Sequence, residues 1–123
     1  MIDTELLRES GILIITPVGA LQQSDFEGLA QIVDPYIAQH GALHGLMIYT
    51  QSFPHWQDFK ALVTHIRFVA DHQNKITKIA AVTNNTVLSI LPSIVTHFLH
   101  AEVRHFDYVD KEVALAWLKG SGG

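Results

Sequence analysis

The sequence predicts an α/β fold with a mostly parallel sheet of four or five strands and about four helices. Short β-branched runs alternate with longer segments in which apolar residues recur at helical spacing. Two of the short runs are almost wholly apolar, which is typical of strands covered on both faces. The 123 residues fit one domain. We therefore expect a single domain over residues 1–120, followed by a flexible tail at 121–123.

The first elements are two strands and a helix. An edge strand is expected over Ile2–Leu7, and a second strand over residues 12–16 that ends before Pro17. Ser24 and Glu27 match a capping box, which predicts a helix over residues 24–39 with Ser24 as its N-cap. Pro35 should bend this helix and Gly41 should end it. Its apolar stripe consists of Phe26, Leu29, Ala30, Val33, Tyr36 and Ile37.

The middle of the chain predicts two strands and two helices. Residues 46–50 form a continuous apolar run, expected as a buried strand, and residues 78–82 are expected as another buried strand. A second helix is predicted over residues 58–74 and a third over residues 86–100.

The last elements are a strand and a short helix. Residues 103–109 alternate as in a strand, and residues 111–119 predict a helix capped by Asp110 and ended by Gly120. The packing face of this last helix is expected to contain Val113, Ala114, Trp117 and Leu118.

Composition and charge exclude several classes of function. The net charge is −4 and no basic run occurs, so nucleic acid is not an expected partner. The chain has no cysteine, which excludes disulfides and thiolate metal sites. No basic segment followed by an apolar segment begins the chain, so we expect no signal peptide and a cytoplasmic location.

The chemistry of an enzyme is not apparent in the sequence. Eight histidines occur, but none forms a metal-ligand spacing with a carboxylate, and no Walker A, Gly-x-Gly-x-x-Gly or Gly-x-Ser-x-Gly motif is present. We therefore predict no catalytic residues, no metal and no cofactor. A weaker hypothesis is a hydrolase or isomerase that uses His55 and Asp58.

Aromatic and aliphatic residues provide the sequence evidence for a binding function. Charged residues make up 16% of the chain, against about 25% in average proteins, so some apolar surface should remain for a ligand, a partner or a membrane. We predict an apolar pocket between the sheet and the second and third helices. The alternative is that these residues fill the core. The candidate ligand-binding residues are Phe53, Trp56, Phe59, Phe68, Leu88, Leu91, Val95 and Phe98.

The third predicted helix lacks a charged outer face. No Asp, Glu, Lys or Arg occurs in residues 79–101, yet a surface helix normally presents charges to solvent. The stretch is too polar for a membrane span. It predicts a helix that contacts either a membrane surface or a second copy of the chain in a homodimer.

The order of these segments resembles the SpoIIAA-like family of small STAS-type proteins. The resemblance is carried by residues 12–15, 24–40, 45–49, 56–59, 78–82, 101–106 and 112–118. The resemblance implies a sheet of four or five strands with four helices. It also implies an association with apolar ligands, lipids and membranes, as in other members of the family. The main functional prediction is therefore a non-enzymatic domain that binds a nonpolar or lipid-like small molecule.

The resemblance also supports an alternative, a STAS-like regulatory module that binds a protein partner. Phosphorylated members of the wider group carry an Asp-Ser-Ser-Gly type motif after the central strand. This chain has Thr50, Gln51, Ser52 and Phe53 there, so the Asp and Gly are missing. Ser52 remains a candidate phosphorylation site because a phosphate near a helix N-terminus meets free N–H groups.

Overall fold

The computed structural model describes residues 2–18, 23–51, 76–84 and 102–120, and these contain one mixed sheet of five strands. The strands are β1 (Ile2–Leu7), β2 (Ile12–Pro17), β3 (Leu43–Tyr49), β4 (Ile76–Val82) and β5 (Glu102–Phe106). They lie in chain order across the sheet, so β3 is central. β1 is antiparallel to β2, and the remaining three pairs of neighbouring strands are parallel. The predicted α/β fold with a mostly parallel sheet is confirmed.

Two α-helices are described, and they cover opposite faces of the sheet. The first helix (Gln23–His40) and the C-terminal helix (Lys111–Lys119) each adjoin a separate buried cluster. The cluster on the first-helix side contains Leu13, Ile15, Leu29, Val33, Tyr36, Ile37, Leu43, Leu46, Ile48, Ile76, Ile79 and Ala81. The cluster on the other side contains Ile12, Ile14, Met47, Ala80, Val82, Phe106, Ala114 and Leu118.

The first helix matches its predicted stripe and differs at its start. Among its stripe residues, Leu29, Val33, Tyr36 and Ile37 are buried, and Pro35 lies inside the helix. The helix begins at Gln23, one residue before the predicted N-cap Ser24, so Ser24 lies in its first turn. Gly41 ends the helix as expected.

Gly41 ends this helix in a left-handed conformation, and Tyr36 connects the helix to the β1–β2 hairpin by a hydrogen bond. Gly41 has φ +85°, a region that favours glycine, and its N–H donates to the Ile37 carbonyl at 2.7 Å. The Tyr36 hydroxyl donates to the Arg8 carbonyl at 3.2 Å. The helix is therefore held both at its C-terminus and against the hairpin turn.

Strand ends differ from the sequence prediction because pairing, not hydropathy alone, decides them. β3 and β4 begin earlier than predicted, at Leu43 and Ile76, which pair with each other. The predicted last strand over residues 103–109 ends at Phe106, whose partner Val82 is the last residue of β4. Beyond it Tyr108–Asp110 form a 3₁₀ turn, so placing Tyr108 and Val109 in a strand was wrong.

The C-terminal helix has the predicted bounds, but one detail of it is corrected. Asp110 occupies the N-cap position as predicted, but its side chain makes no capping hydrogen bond. Ala114 and Leu118 are buried, whereas Val113 is 57% exposed. Because Val113 lies on the side away from the sheet, it does not belong to the packing face that the sequence predicted.

The second and third predicted helices lie outside the described residues. So do Ser52 and the eight candidate ligand-binding residues, which are Phe53, Trp56, Phe59, Phe68, Leu88, Leu91, Val95 and Phe98. His55 and Asp58, proposed for the weaker enzyme hypothesis, also fall there. The apolar pocket and the contact surface on the third helix stay predictions.

Candidate functional site

The carboxyl ends of β2 to β5 lie side by side along one border of the sheet, which we call the carboxyl edge. Open α/β sheets bind their ligands at this border. The backbone ladder continues one residue past two of the strands. The Thr50 N–H donates to the Val82 carbonyl at 3.1 Å, and the Thr83 N–H donates to the Phe106 carbonyl at 3.1 Å. The residues that follow β3 and β4 therefore start from fixed positions at this edge.

An aromatic pair occupies the end of the central strand. The rings of Tyr49, the last residue of β3, and Tyr108, the first of the 3₁₀ turn, stack with centroids 4.8 Å apart and an interplanar angle of 9°. The Lys111 ammonium lies 4.5 Å from the centroid of the Tyr49 ring. Both tyrosines are half-buried, so the pair is held in place and still presents surface to solvent. We call Tyr49, Tyr108 and Lys111 the tyrosine shelf.

The Tyr49 phenol is protonated at neutral pH, and its surroundings in the shelf raise its pKa further. A side-chain hydrogen bond with Tyr108, with smaller effects of desolvation and of the Tyr108 charge, raises the pKa of Tyr49 above its usual 10.0. A phenol of raised pKa is a poor general base at neutral pH. Tyr49 is therefore suited to contact and hydrogen bonding rather than to proton abstraction.

A buried threonine directly after β4 and a histidine on β5 make a contact at the same end of the sheet. The Thr83 side chain is fully buried, and its hydroxyl has no hydrogen-bond partner in the described part of the chain. The ring Nε2 of His105 lies 3.1 Å from the Thr83 carbonyl. Since a carbonyl only accepts, Nε2 must carry the hydrogen and donate it, which fixes the tautomer of neutral His105.

The face beneath the C-terminal helix carries a second cluster, in which two cations approach one tryptophan. Lys78 Nζ donates to the Trp117 carbonyl at 3.1 Å and lies 5.0 Å from the centroid of its ring. The Arg104 guanidinium lies 6.0 Å from that centroid and 5.2 Å from the centroid of the Phe106 ring. The Phe106 and Trp117 rings are tilted, with centroids 5.6 Å apart. These contacts anchor the end of the helix to β4 and β5.

Neither the shelf nor the cation cluster was expected from the sequence. Tyr49 and Tyr108 were assigned to strands without a role, and Trp117 was expected only to fill the core. The alternation of Arg104 and Phe106 along β5, with Trp117 on the following helix, was the available signal for the cation cluster. The shelf depends on the 3₁₀ turn at Tyr108, which no pattern in the sequence indicated.

The described segments lack both a cluster of metal-ligating side chains and a helix suited to span a membrane. Residues 2–18, 23–51, 76–84 and 102–120 contain no group of three or more histidine, cysteine, aspartate or glutamate side chains placed to hold a metal ion. Neither of the two described helices is long and apolar enough to cross a membrane.

Comparison with known proteins places this fold in a family. No curated protein and no solved structure matched the chain. The family model described as SpoIIAA-like matches residues 12–119, from the start of β2 to the last residue of the C-terminal helix. The match therefore includes four of the five strands and both described helices, and the chain belongs to the SpoIIAA-like family.

Proposed function

We propose that this domain is a non-enzymatic, STAS-like regulatory module that binds a protein partner at the carboxyl edge of its sheet. The observation that carries the proposal is the tyrosine shelf, a pre-ordered aromatic surface at the end of the central strand of a SpoIIAA-like fold. Membership of the family supports the regulatory interpretation.

The composition of the shelf suits a protein interface. Tyrosine is enriched at such interfaces because its ring supplies a large contact area and its hydroxyl supplies a hydrogen bond. Stacking of Tyr49 on Tyr108, with Lys111 against Tyr49, orders these side chains before any partner arrives. Pre-ordering lowers the entropy cost of association, so the shelf can contribute more to affinity than mobile surface side chains.

Binding without catalysis agrees with the electrostatics of the same edge. The Tyr49 hydroxyl is neutral at pH 7, and the raised pKa of Tyr49 favours that state further. His105 uses Nε2 to donate to the Thr83 carbonyl, which fixes its ring against the sheet. Tyr49 is therefore a hydrogen-bonding group at neutral pH rather than a base.

The proposal also includes regulation of partner binding by phosphorylation of Ser52. Ser52 follows Gln51, which itself follows the hydrogen-bonded Thr50 at the end of β3. A phosphate on Ser52 would add about −1.5 to −2 charge two residues after Thr50. The proposal expects Ser52→Glu to change partner affinity in the direction that phosphorylation does, and Ser52→Ala to keep the affinity of the unphosphorylated chain.

The apolar-ligand hypothesis is the second candidate. It depends on residues outside the described segments and on the low content of charged residues, 16%. Native mass spectrometry of gently purified protein tests it, since a bound lipid would appear as a defined mass increment. A spectrum with only the mass of the polypeptide would remove this candidate.

The experiment for the proposed function is a quantitative affinity capture with the whole chain as bait, followed by titration of the purified partner. Tyr108→Ala should weaken the partner's affinity at least about tenfold, because it removes one ring of the stacked pair. Asp3→Asn on β1, an exposed substitution at the edge strand, is the control and should bind as the parent does. Equal affinity of Tyr108→Ala and the parent, with both folded, would contradict the proposal.

A further inference from the structure

The outer side of the C-terminal helix has Val113 and Ala116 between two opposite charges, Glu112 and Lys119, and the exposed Val109 lies in the turn before the helix. Val109 in the preceding turn is 86% exposed and Val113 is 57% exposed. Glu112 in the first turn and Lys119 in the last turn are exposed as well. A surface helix that faces only water normally presents charged residues where these valines lie.

Helical geometry places these residues on one surface. Ala114 and Leu118 are fully buried against the sheet, so the opposite side of the helix faces outward. Glu112 and Lys119 are two turns apart on that side, with the half-buried Ala116 between them. We call Val109, Glu112, Val113, Ala116 and Lys119 the outer helix face.

We infer that the outer helix face packs against the same face of a second copy of this chain, with the two helices antiparallel about a two-fold axis near Ala116. An antiparallel arrangement about this centre brings Glu112 of each copy opposite Lys119 of the other. The ion pair then forms twice, as an isologous interface requires. A parallel arrangement would instead place like charges together.

Three further features of this surface fit an antiparallel pair. The helix dipoles oppose each other, so the positive N-terminus of one helix meets the negative C-terminus of its neighbour. The small side chain of Ala116 lets the two helices approach closely at the axis. Asp110 directly precedes the helix, which extends the negative charge beyond Glu112.

The size of the surface sets the strength of the association. The helix has nine residues, so the pair buries less than the roughly 1,200 Å² at the lower bound of stable interfaces. The dimer should therefore be weak and reversible, and its two-fold symmetry closes it at two copies. This inference goes beyond the proposed function, because the tyrosine shelf and the outer helix face can be altered separately.

The first test is a charge exchange followed by sedimentation equilibrium over a wide dilution series. Glu112→Lys and Lys119→Glu should each weaken dimerisation about tenfold, because each places like charges opposite one another twice. The double variant Glu112→Lys/Lys119→Glu should restore the parent's association. Glu5→Lys, an exposed change on β1, is the control and should leave it unchanged. A parent that is monomeric at every concentration would overturn the inference.

The second test locates the axis by oxidative cross-linking, which the lack of native cysteine makes simple. Ala116→Cys should form a disulfide-linked dimer, because the two-fold axis brings this position near its own copy. Glu112→Cys alone should cross-link far less, whereas Glu112→Cys mixed with Lys119→Cys should cross-link readily. Equal yields for all these samples would overturn the antiparallel arrangement even if the protein dimerises.

Discussion

At the scale of single residues, Gly45 shows how a missing side chain sets the distance between a helix and the sheet. A Cβ at this position of β3 would lie 3.0 Å from Leu118 Cδ2 and 3.3 Å from Ile12 Cγ1. Both neighbours are fully buried, so neither can move away easily. The C-terminal helix approaches the central strand as closely as it does because residue 45 is glycine.

Gly45→Ala should therefore lower the free energy of unfolding by about 1–3 kcal/mol through overpacking. Gly28→Ala is the matched control. It lies in the first helix with no atom within 4 Å of the added carbon, so it should raise stability by about 0.5–1 kcal/mol. Urea denaturation of both variants measures the difference. A Gly45→Ala variant as stable as the parent would mean that Leu118 repacks freely.

Thr83 is the second residue whose substitution separates two interpretations. Its fully buried hydroxyl has no partner within the described segments, and an unsatisfied buried polar group costs about 1–3 kcal/mol. Thr83→Val keeps the shape and removes that cost, so the denaturation midpoint should rise. A lower midpoint would show that the hydroxyl contributes a favourable hydrogen bond in the folded protein.

Tyr49 gives a prediction that depends on pH. Its pKa is raised in the folded state above the usual 10.0, so its contribution to stability is present below pH 10 and is lost as pH rises through the folded-state pKa. Phenolate absorbance should therefore show Tyr49 titrating later than a free tyrosine. Tyr108→Phe removes the hydrogen bond and should bring that titration back toward pH 10. An unchanged titration curve would assign the shift to burial alone.

At the scale of elements, the C-terminal helix is held by a few contacts near its end. The Lys78 ammonium bonds to the Trp117 carbonyl, and the Trp117 ring packs against the Phe106 ring, with Arg104 near both rings. The closing Gly120 adopts φ +80° and donates to the Ala116 and Trp117 carbonyls. A short helix has little stability by itself, so these contacts decide whether it stays docked.

Trp117→Ala should cost about 3 kcal/mol, the lower end of the range for large aromatic truncations, because the ring is only half-buried. Val113→Ala on the outer side of the same helix is the control and should change stability by no more than about 0.5 kcal/mol. Thermal or chemical denaturation distinguishes the two. Similar losses for both variants would show that Val113 is packed rather than exposed.

At the scale of the whole molecule, the order of strands predicts a gradient of local stability. β3 is central and has six of its seven residues paired with β4, while β1 and β5 are the edge strands. Amides of β3 should therefore exchange with solvent slowest, and those of β1 and β5 fastest among the strands. Hydrogen exchange followed by mass spectrometry measures this order. Faster exchange in β3 than in β1 would contradict the observed topology.

Hydropathy predicted those elements whose burial and backbone conformation are both determined by the residues of a single segment. The strand cores at residues 12–16, 46–50 and 78–82 and the helix stop at Gly41 follow from single segments of sequence. The end of β5 could not be predicted in this way, because it depends on where β4 ends in the neighbouring strand. For the same reason the tyrosine shelf, which joins the end of β3 to residues after β5, was not apparent.

The hairpin partner β1 lies outside the family match, which begins at Ile12. β2 is almost wholly apolar, and without a neighbour its open backbone would be a template for uncontrolled pairing between molecules. β1 covers that backbone and presents the exposed side chains of Asp3, Thr4 and Glu5 instead. β1 therefore replaces an apolar edge strand by a charged one, and a charged edge disfavours pairing between the sheets of different molecules.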